Sequence, residues 1–146
     1  MTDTHLRDRI QDPSWVLNPL TEIKGVRHAL ILSADGMVVA ASAGLGRDDA
    51  EGIAAMTSAL HGAARTAINH ALGAPGSTPV QTITVQSDHG VYMIMPAGVA
   101  TNAFIAVAGD EEMPMGVVAH TMARLAAKLG EQLMAVAPRT EHSEVR

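Results

Sequence analysis

Histidines are the first residues to consider for chemistry, because the chain has seven of them and no cysteine. A helical zinc site needs two histidines at positions i and i+4, and no pair in this sequence has that spacing. His61 and His70 lie on different faces of one predicted helix. Each histidine is therefore interpreted as a surface or hydrogen-bonded residue, and no metal site is predicted. The lack of cysteine also excludes disulfides, thiol catalysis and cysteine-ligated zinc.

The segment Gly44–Gly46 lies between a predicted strand and a predicted helix, the place of a phosphate-binding loop. Asp49 stands where the dinucleotide fingerprint has its third glycine, and no Gly-Lys-Ser/Thr follows. Asp48, Asp49 and Glu51 also put negative charge where a bound phosphate needs positive charge. No Gly-x-Ser-x-Gly motif occurs, and Asp48 and Asp49 point in different directions. The sequence thus predicts neither a nucleotide site nor catalysis, and it implies no cofactor.

Composition limits the possible partners. Ten Lys and Arg stand against fifteen Asp and Glu in the 146 residues, for a net charge of −5. Without a basic stripe, and with Trp15, Tyr92 and Phe104 as scattered single aromatics, the chain is a poor partner for nucleic acid. No apolar run is long enough to cross a bilayer, and the N-terminus lacks the apolar core of a signal peptide. We therefore expect a cytoplasmic protein without membrane insertion.

The polar ends predict two disordered tails, residues 1–13 and 138–146, around one domain formed by residues 14–137. A short helix opens this domain, and two interpretations of its start remain open. Either Ser14 caps a helix that begins at Trp15, or Asn18 caps a shorter helix with Pro19 at its first position.

Tight turns between apolar runs predict the sheet. Asp35-Gly36 and Ser87–Gly90 each join two such runs, which is typical of β-hairpins. An Asp48/Glu51 capping box begins a long middle helix. The predicted elements are strands at 27–33, 37–43, 80–86, 91–95 and 102–108, and helices at 48–72 and 115–136. Hairpin connections favour an α+β fold, a five-stranded antiparallel sheet flanked by helices in the order α-β-β-α-β-β-β-α.

Three sets of residues follow the middle helix. An apolar set is expected to face the core: Ile53, Met56, Leu60, Ala63, Ala64, Ala67 and Ala71. A second set contains only small residues: Gly52, Ala55, Ala59, Gly62 and Thr66. Each glycine costs a helix about 1 kcal/mol relative to alanine, which favours close packing against a second helix, for instance of another copy. The alternative is that an alanine-rich composition scatters small residues everywhere.

A polar stripe lies beside the small residues of this helix. Its members are Glu51, Ser58, His61, Arg65 and Asn69. From the residues alone, a solvated face and a partner-binding face explain this pattern equally well.

The order of elements and several local motifs resemble the Roadblock / dynein light chain family. The resemblance is carried by Trp15–Leu17, by Gly25–Ser42 with its Gly-Val start and Asp-Gly turn, and by Leu45–Glu51 before a small-residue helix. The last motif is similar to the bacterial branch, of the type encoded beside a GTPase and a sensor-kinase-like protein. The likeness extends over residues 14–137 and implies a Roadblock / profilin-like fold.

The resemblance also implies a function. Members form dimers in which the middle helices pack together and the sheets join edge to edge. The implied dimer interface is Gly52, Ala55, Ala59, Gly62, Thr66, Val80, Thr82 and Thr84. The implied role is that of a non-catalytic regulator or scaffold of a bacterial Ras-like small GTPase, with or without promotion of GTP hydrolysis. Candidate GTPase contacts are Arg47, Glu51, Ser58, His61, Arg65 and Asn69.

Two further expectations concern other partners. A sensor-kinase-like protein is a further partner that the resemblance suggests. The alternative from another class is a small-molecule sensory domain of the α+β type, with a pocket lined by Met93, Met95 and Phe104.

Overall fold

Five strands form one antiparallel sheet in the computed structural model, which describes residues 13–98 and 102–134. Two helical turns come first, α1 (Pro13–Val16) and α2 (Asn18–Thr21). The strands are β1 (Val26–Ser33), β2 (Val38–Ala41), β3 (Ile83–Ser87), β4 (Gly90–Pro96) and β5 (Ala103–Gly109). The long helices are α3 (Arg47–Leu72) and α4 (Met115–Met134).

This order confirms the predicted α-β-β-α-β-β-β-α fold, with α1 and α2 together forming the first helical segment. The predicted tails lie outside the described residues, except for Pro13, which already begins α1.

The first helical segment is interrupted at Leu17, so both predicted starts are wrong. Ser14 lies inside α1, and Asn18 lies inside α2 rather than capping it. Leu17 occupies the N-cap position of α2, and no side chain caps that helix. Pro19 is tolerated because it lies in the first turn, where its missing N–H breaks no helical hydrogen bond.

The sheet has the strand order β2-β1-β5-β4-β3. β3 begins at Ile83, so Val80 and Thr82 precede the strand and only Thr84 of the predicted edge residues lies in it. The preceding segment contains Pro75 and Pro79, which lack the N–H that a strand ladder needs.

Alternate residues of the sheet contact two different helical layers. Ile31, Met93 and Ile105 lie in one core with the buried residues of α4, and Met95 packs against it. Leu30, Leu32, Ile94 and Phe104 lie in a second core with Ala54 of α3. Met93 and Phe104 therefore face opposite sides of the sheet. The small-molecule pocket expected between Met93, Met95 and Phe104 is not formed.

The β1–β2 turn holds α3 in place. Gly36 has a φ of +90°, a conformation that a side chain rarely adopts. A Cβ at Gly36 would lie 3.3 Å from the Cα of Ala55. Glycine at this position thus lets the turn approach the helix backbone closely.

Candidate partner interface

The N-terminus of α3 forms without the predicted capping box. Gly46 is the N-cap residue with an extended backbone, and no side chain caps the helix. Asp48 and Asp49 lie in the first turn, where their charge is favourable to the helix dipole. Glu51 instead pairs with Arg47, whose Nε lies 3.3 Å from its carboxylate. This pair is exposed, so it contributes little stability.

Only a narrow strip of α3 packs on the sheet. Its buried residues are Ala50, Ala54, Thr57 and Asn69. The prediction that the apolar set faces the core is therefore wrong for most of that set. Its exposed members are Met56, Leu60, Ala63, Ala67 and Ala71, whereas Ile53 and Ala64 are half-buried. The small side chains of Ala50 and Ala54 let the helix lie close to the sheet, which leaves the larger ones on its flank.

An apolar groove runs along that flank of α3. Met56 is 67% exposed and Leu60 is 36% exposed, and with Ile53 they form one wall of the groove. Tyr92 and Ala108 line the sheet side. The groove thus leaves apolar side chains of α3 uncovered among the described residues.

The groove lies beside an open edge of the sheet. Val85 of β3 is 42% exposed and is the register partner of Tyr92, so it extends the same apolar face outward. Among the described strands, β3 pairs with β4 alone. Such an edge presents backbone groups that can pair with another chain.

A short chain of hydrogen bonds defines the inner boundary of the groove. The Thr57 hydroxyl donates to the Ile53 carbonyl at 2.7 Å and lies 2.5 Å from the Tyr92 hydroxyl. Because Thr57 has a single hydroxyl proton, Tyr92 is the donor to Thr57. Burial raises the pKa of Tyr92 above its usual value. Tyr92 therefore stays neutral and anchors α3 to β4.

The small-residue stripe of α3 faces away from the sheet. All five members, Gly52, Ala55, Ala59, Gly62 and Thr66, are exposed. A Cβ at Gly52 or Gly62 would meet no atom within 4 Å. Nothing described in the single chain therefore requires glycine at either position, and the close helix contact stays a prediction.

Half of the predicted GTPase contacts are occupied within the chain. The Ser58 hydroxyl donates to the Ala34 carbonyl at 2.6 Å. The Asn69 amide is buried and donates to the Thr78 carbonyl at 3.2 Å. The His61 ring lies 4.3 Å from that of Phe104, centroid to centroid. Burial, and secondarily the charge of Arg65, lower the pKa of His61 below 6.5.

The remaining candidates, Arg47, Glu51 and Arg65, are exposed on the surface of α3. The polar stripe thus divides into residues that attach α3 to the fold and residues that are accessible to a partner.

Sequence reasoning missed Tyr92 and Val85 as interface candidates and assigned Met56 and Leu60 to the core. One available signal was the length of the middle helix. At 1.5 Å per residue its 26 residues extend about 39 Å, whereas a strand of seven residues extends about 23 Å. This length accounts for the exposure of Ile68 and Leu72 toward the end of the helix, but not for that of Met56 and Leu60, which lie beside the sheet.

The described residues contain neither a metal-binding cluster nor a membrane-spanning helix. No three His, Asp or Glu side chains among residues 13–98 and 102–134 come together in a way that could hold a metal ion. None of the described helices is both long and apolar enough to cross a membrane.

The arrangement is that of an α+β interaction domain, with a sheet between two helical layers and an exposed middle helix. The Roadblock/LC7 domain model matches residues 15–108, and the chain belongs to the Roadblock/LC7 family. The uncharacterized protein MJ1340 of Methanocaldococcus jannaschii is 33% identical over 115 residues, which cover 78% of this chain and 93% of that protein.

Solved structures agree with this membership. The Roadblock/LC7 domain from Streptomyces avermitilis has a TM-score of 0.75 and 27% identity, over 85% of this chain and 99% of that chain. The gliding protein MglB from Thermus thermophilus has a TM-score of 0.70 and 22% identity, over 90% of this chain and 93% of that chain. The likeness to MglB shows a common fold.

Proposed function

We propose that this chain is a non-catalytic, homodimeric regulator or scaffold of a Ras-like small GTPase. Its membership of the Roadblock/LC7 family supports this function, because the resemblance to the bacterial branch implies GTPase regulation. With a small GTPase as its partner, the chain is proposed to be cytoplasmic. A sensor-kinase-like partner stays a prediction, since the names of the relatives say nothing of one.

The observation that carries the dimeric part of the proposal is the apolar groove beside the open β3 edge. Full burial of a Met or Leu side chain contributes about 1.5–3 kcal/mol, so Met56, which is 67% exposed, has more to gain than Leu60, which is 36% exposed. In a twofold dimer the same patch is buried on both copies, so each such residue counts twice. Met56, Leu60 and Val85 are therefore proposed to contact a second copy, with the small-residue stripe allowing the two α3 helices to approach closely.

In the proposed dimer, the β3 edges of the two copies also pair with each other. Thr84 lies in β3, so the proposed edge-to-edge pairing of two sheets is centred on residues 83–87. Val80 and Thr82 are proposed to flank that pairing rather than to take part in its ladder.

The polar side of α3 is proposed to bind the GTPase. Arg47, Glu51 and Arg65 are assigned the direct contacts, because their side chains are exposed, whereas Ser58 and Asn69 are assigned a role in holding α3. Preferential binding of the GTPase conformation with ordered switch loops would raise its hydrolysis rate without a catalytic group from this chain. Equal affinity for both nucleotide states would make the chain a scaffold.

The decisive experiment measures binding of the purified protein to the small GTPases encoded in the same genome, each loaded with GDP or with a non-hydrolysable GTP analogue. Arg65→Glu is expected to weaken binding. Arg124→Glu is the matched control, because Arg124 is an exposed arginine on α4, on the other side of the sheet. Hydrolysis rates measured with and without the protein then separate an activator from a scaffold.

Two results would count against the proposal. Failure of every GTPase to bind in either nucleotide state would remove the assigned partner. Equal losses for Arg65→Glu and Arg124→Glu would remove the assigned surface. Neither result would change the proposal that the chain is a dimer. That proposal is tested separately, by sedimentation of the protein alone.

A further inference from the structure

The polar stripe and the apolar groove lie on opposite flanks of α3. Because successive helix residues are about 100° apart, Met56 and Leu60 each lie about 160° around the helix axis from Ser58 of the polar stripe. The contacts of the helix agree with this geometry. The Ser58 hydroxyl donates to the β1–β2 turn, whereas Met56 and Leu60 line the groove beside β4. A second copy bound in the groove therefore does not cover the polar stripe.

A cavity of about 370 Å³ lies on the polar flank, between β2 and the first turns of α3. Its lining residues are Val38–Ala41, Leu45, Arg47, Ala50 and Glu51. Leu45 is half-buried and Ala50 is buried, whereas Arg47 and Glu51 are exposed and form its rim. An apolar centre inside a polar rim is the arrangement found in protein–protein contacts.

Leu45 is held in a defined position at this cavity. Its N–H donates to the Ser42 carbonyl at 3.0 Å, which closes a turn directly after β2. The next residue, Gly46, accepts the Ala50 N–H on its carbonyl at 2.9 Å and so begins α3. The segment Gly44–Gly46 is thus fixed at both ends, and it presents Leu45 between the strand and the helix.

The charges around the cavity favour an uncharged occupant. Arg47 and Glu51 pair with each other, with 3.3 Å between the Arg47 Nε and the Glu51 carboxylate. Asp48 and Asp49 lie in the same first turn, where they repel an anion such as a nucleotide phosphate. With apolar walls and a rim whose charges are already paired, the cavity suits an apolar side chain of another protein.

We infer that this cavity receives an apolar side chain of the GTPase, with Leu45 as its main apolar contact. The inference rests on the proposed function, in which Arg47 and Glu51 bind the GTPase directly, because the same two residues border the cavity. A second copy is the other occupant to consider. Copies joined both through the groove and through this cavity would form an open chain, so a closed dimer leaves the cavity to the GTPase.

The experiment uses the small GTPase that binds the unmodified chain, loaded with the nucleotide that gives the higher affinity. Leu45→Glu places a carboxylate in the apolar cavity and is expected to raise the dissociation constant by about tenfold or more. Val117→Glu is the matched control, because Val117 is an apolar residue, 54% exposed, on α4 at the other side of the sheet. It is expected to leave the dissociation constant unchanged. Sedimentation velocity should show the same association state for both variants and the unmodified chain.

A second variant tests the cavity from the β2 side. Ala41→Gln fills the space with a long uncharged side chain and is also expected to weaken GTPase binding. In the unmodified chain, the GTPase should slow amide hydrogen exchange at residues 38–51 and leave exchange in α4 unchanged. This last measurement decides the outcome if both cavity variants lose the folded circular dichroism spectrum.

Three results would overturn the inference. A dissociation constant for Leu45→Glu equal to that of the unmodified chain would exclude the cavity from the contact, and so would unchanged amide exchange at residues 38–51. A Leu45→Glu protein that no longer dimerises would assign the cavity to a second copy. Failure of every GTPase to bind the unmodified chain would instead refute the proposed function itself.

Discussion

The Tyr92 hydroxyl on β4 donates a hydrogen bond to the Thr57 hydroxyl on α3 over 2.5 Å. This contact lies at the boundary between the buried strip of α3 and its exposed apolar flank, because Thr57 is buried whereas Met56 is 67% exposed. It is one of several contacts that attach α3 to the rest of the fold, together with the hydrogen bonds of Ser58 and Asn69. Tyr92 and Thr57 also line the apolar groove along α3.

Removal of this contact is expected to lower stability by a modest amount. Thr57→Val removes both the hydrogen bond from Tyr92 and the one to the Ile53 carbonyl, and each such bond contributes about 0.5–1.5 kcal/mol. Thr121→Val is the control, because Thr121 on α4 also donates to the carbonyl four residues earlier, at 2.9 Å from Val117. Urea unfolding should show a larger loss for Thr57→Val, and equal losses would mean that the Tyr92 contact contributes nothing.

Charge on the apolar flank of α3 is expected to dissociate the proposed dimer. Met56→Glu and Leu60→Glu would each bury a carboxylate on both copies of a twofold interface, at a cost of several kcal/mol per unpaired ion. Val117→Glu is the matched control, since Val117 is 54% exposed on α4, away from the groove. Sedimentation velocity at micromolar concentration is the measurement. A dimer that survives Met56→Glu and Leu60→Glu contradicts the interface.

Alanine substitutions in the small-residue stripe are expected to raise the stability of the single chain and to weaken its association into dimers. Gly52→Ala and Gly62→Ala place a Cβ in open space within one chain, so each is expected to stabilise α3 by about 0.5–1 kcal/mol. Close packing of two α3 helices would instead be hindered by the added methyl groups, so the dimer should weaken.

Ala59→Glu on the same stripe is expected to dissociate the dimer outright, because it adds charge and bulk between the helices. Gly116→Ala on α4 also meets no atom within 4 Å and serves as the control for the glycine variants. Unchanged dissociation constants for Gly52→Ala, Gly62→Ala and Ala59→Glu would show that the stripe faces solvent.

Much of the fold follows from local sequence signals. The Asp35-Gly36 turn and the alternation around Ile83 identify hairpins because backbone geometry and two-residue periodicity are local properties. The end of α3 at Leu72 is also local, since Gly73 follows it with a φ of +66°. The α-β-β-α-β-β-β-α order was therefore predictable.

The direction of each α3 face was not predictable in the same way. The spacing of residues in the sequence gives the angle between two stripes on a helix. It does not determine which of the stripes packs on the sheet. Ala50, Ala54 and Thr57 form the buried strip, although Met56 and Leu60 are more hydrophobic. The same limit applies to Ser58 and Asn69, whose partners at Ala34 and Thr78 are set by the tertiary fold.

His61 is expected to make stability depend on pH. Burial against Phe104, followed by the charge of Arg65, lowers the pKa of His61, so the unfolded chain binds this proton more readily than the folded chain. Stability is therefore fully present above about pH 6.5, the unfolded pKa, and falls as the pH decreases toward the lower folded pKa. The measurement is the urea midpoint as a function of pH, at fixed protein concentration. His61→Gln should make the midpoint depend less on pH. The control is His120→Gln, at an exposed position on α4, which should leave this dependence unchanged. If the His61→Gln slope matches that of the unmodified chain, His61 is not the group that links protonation to folding.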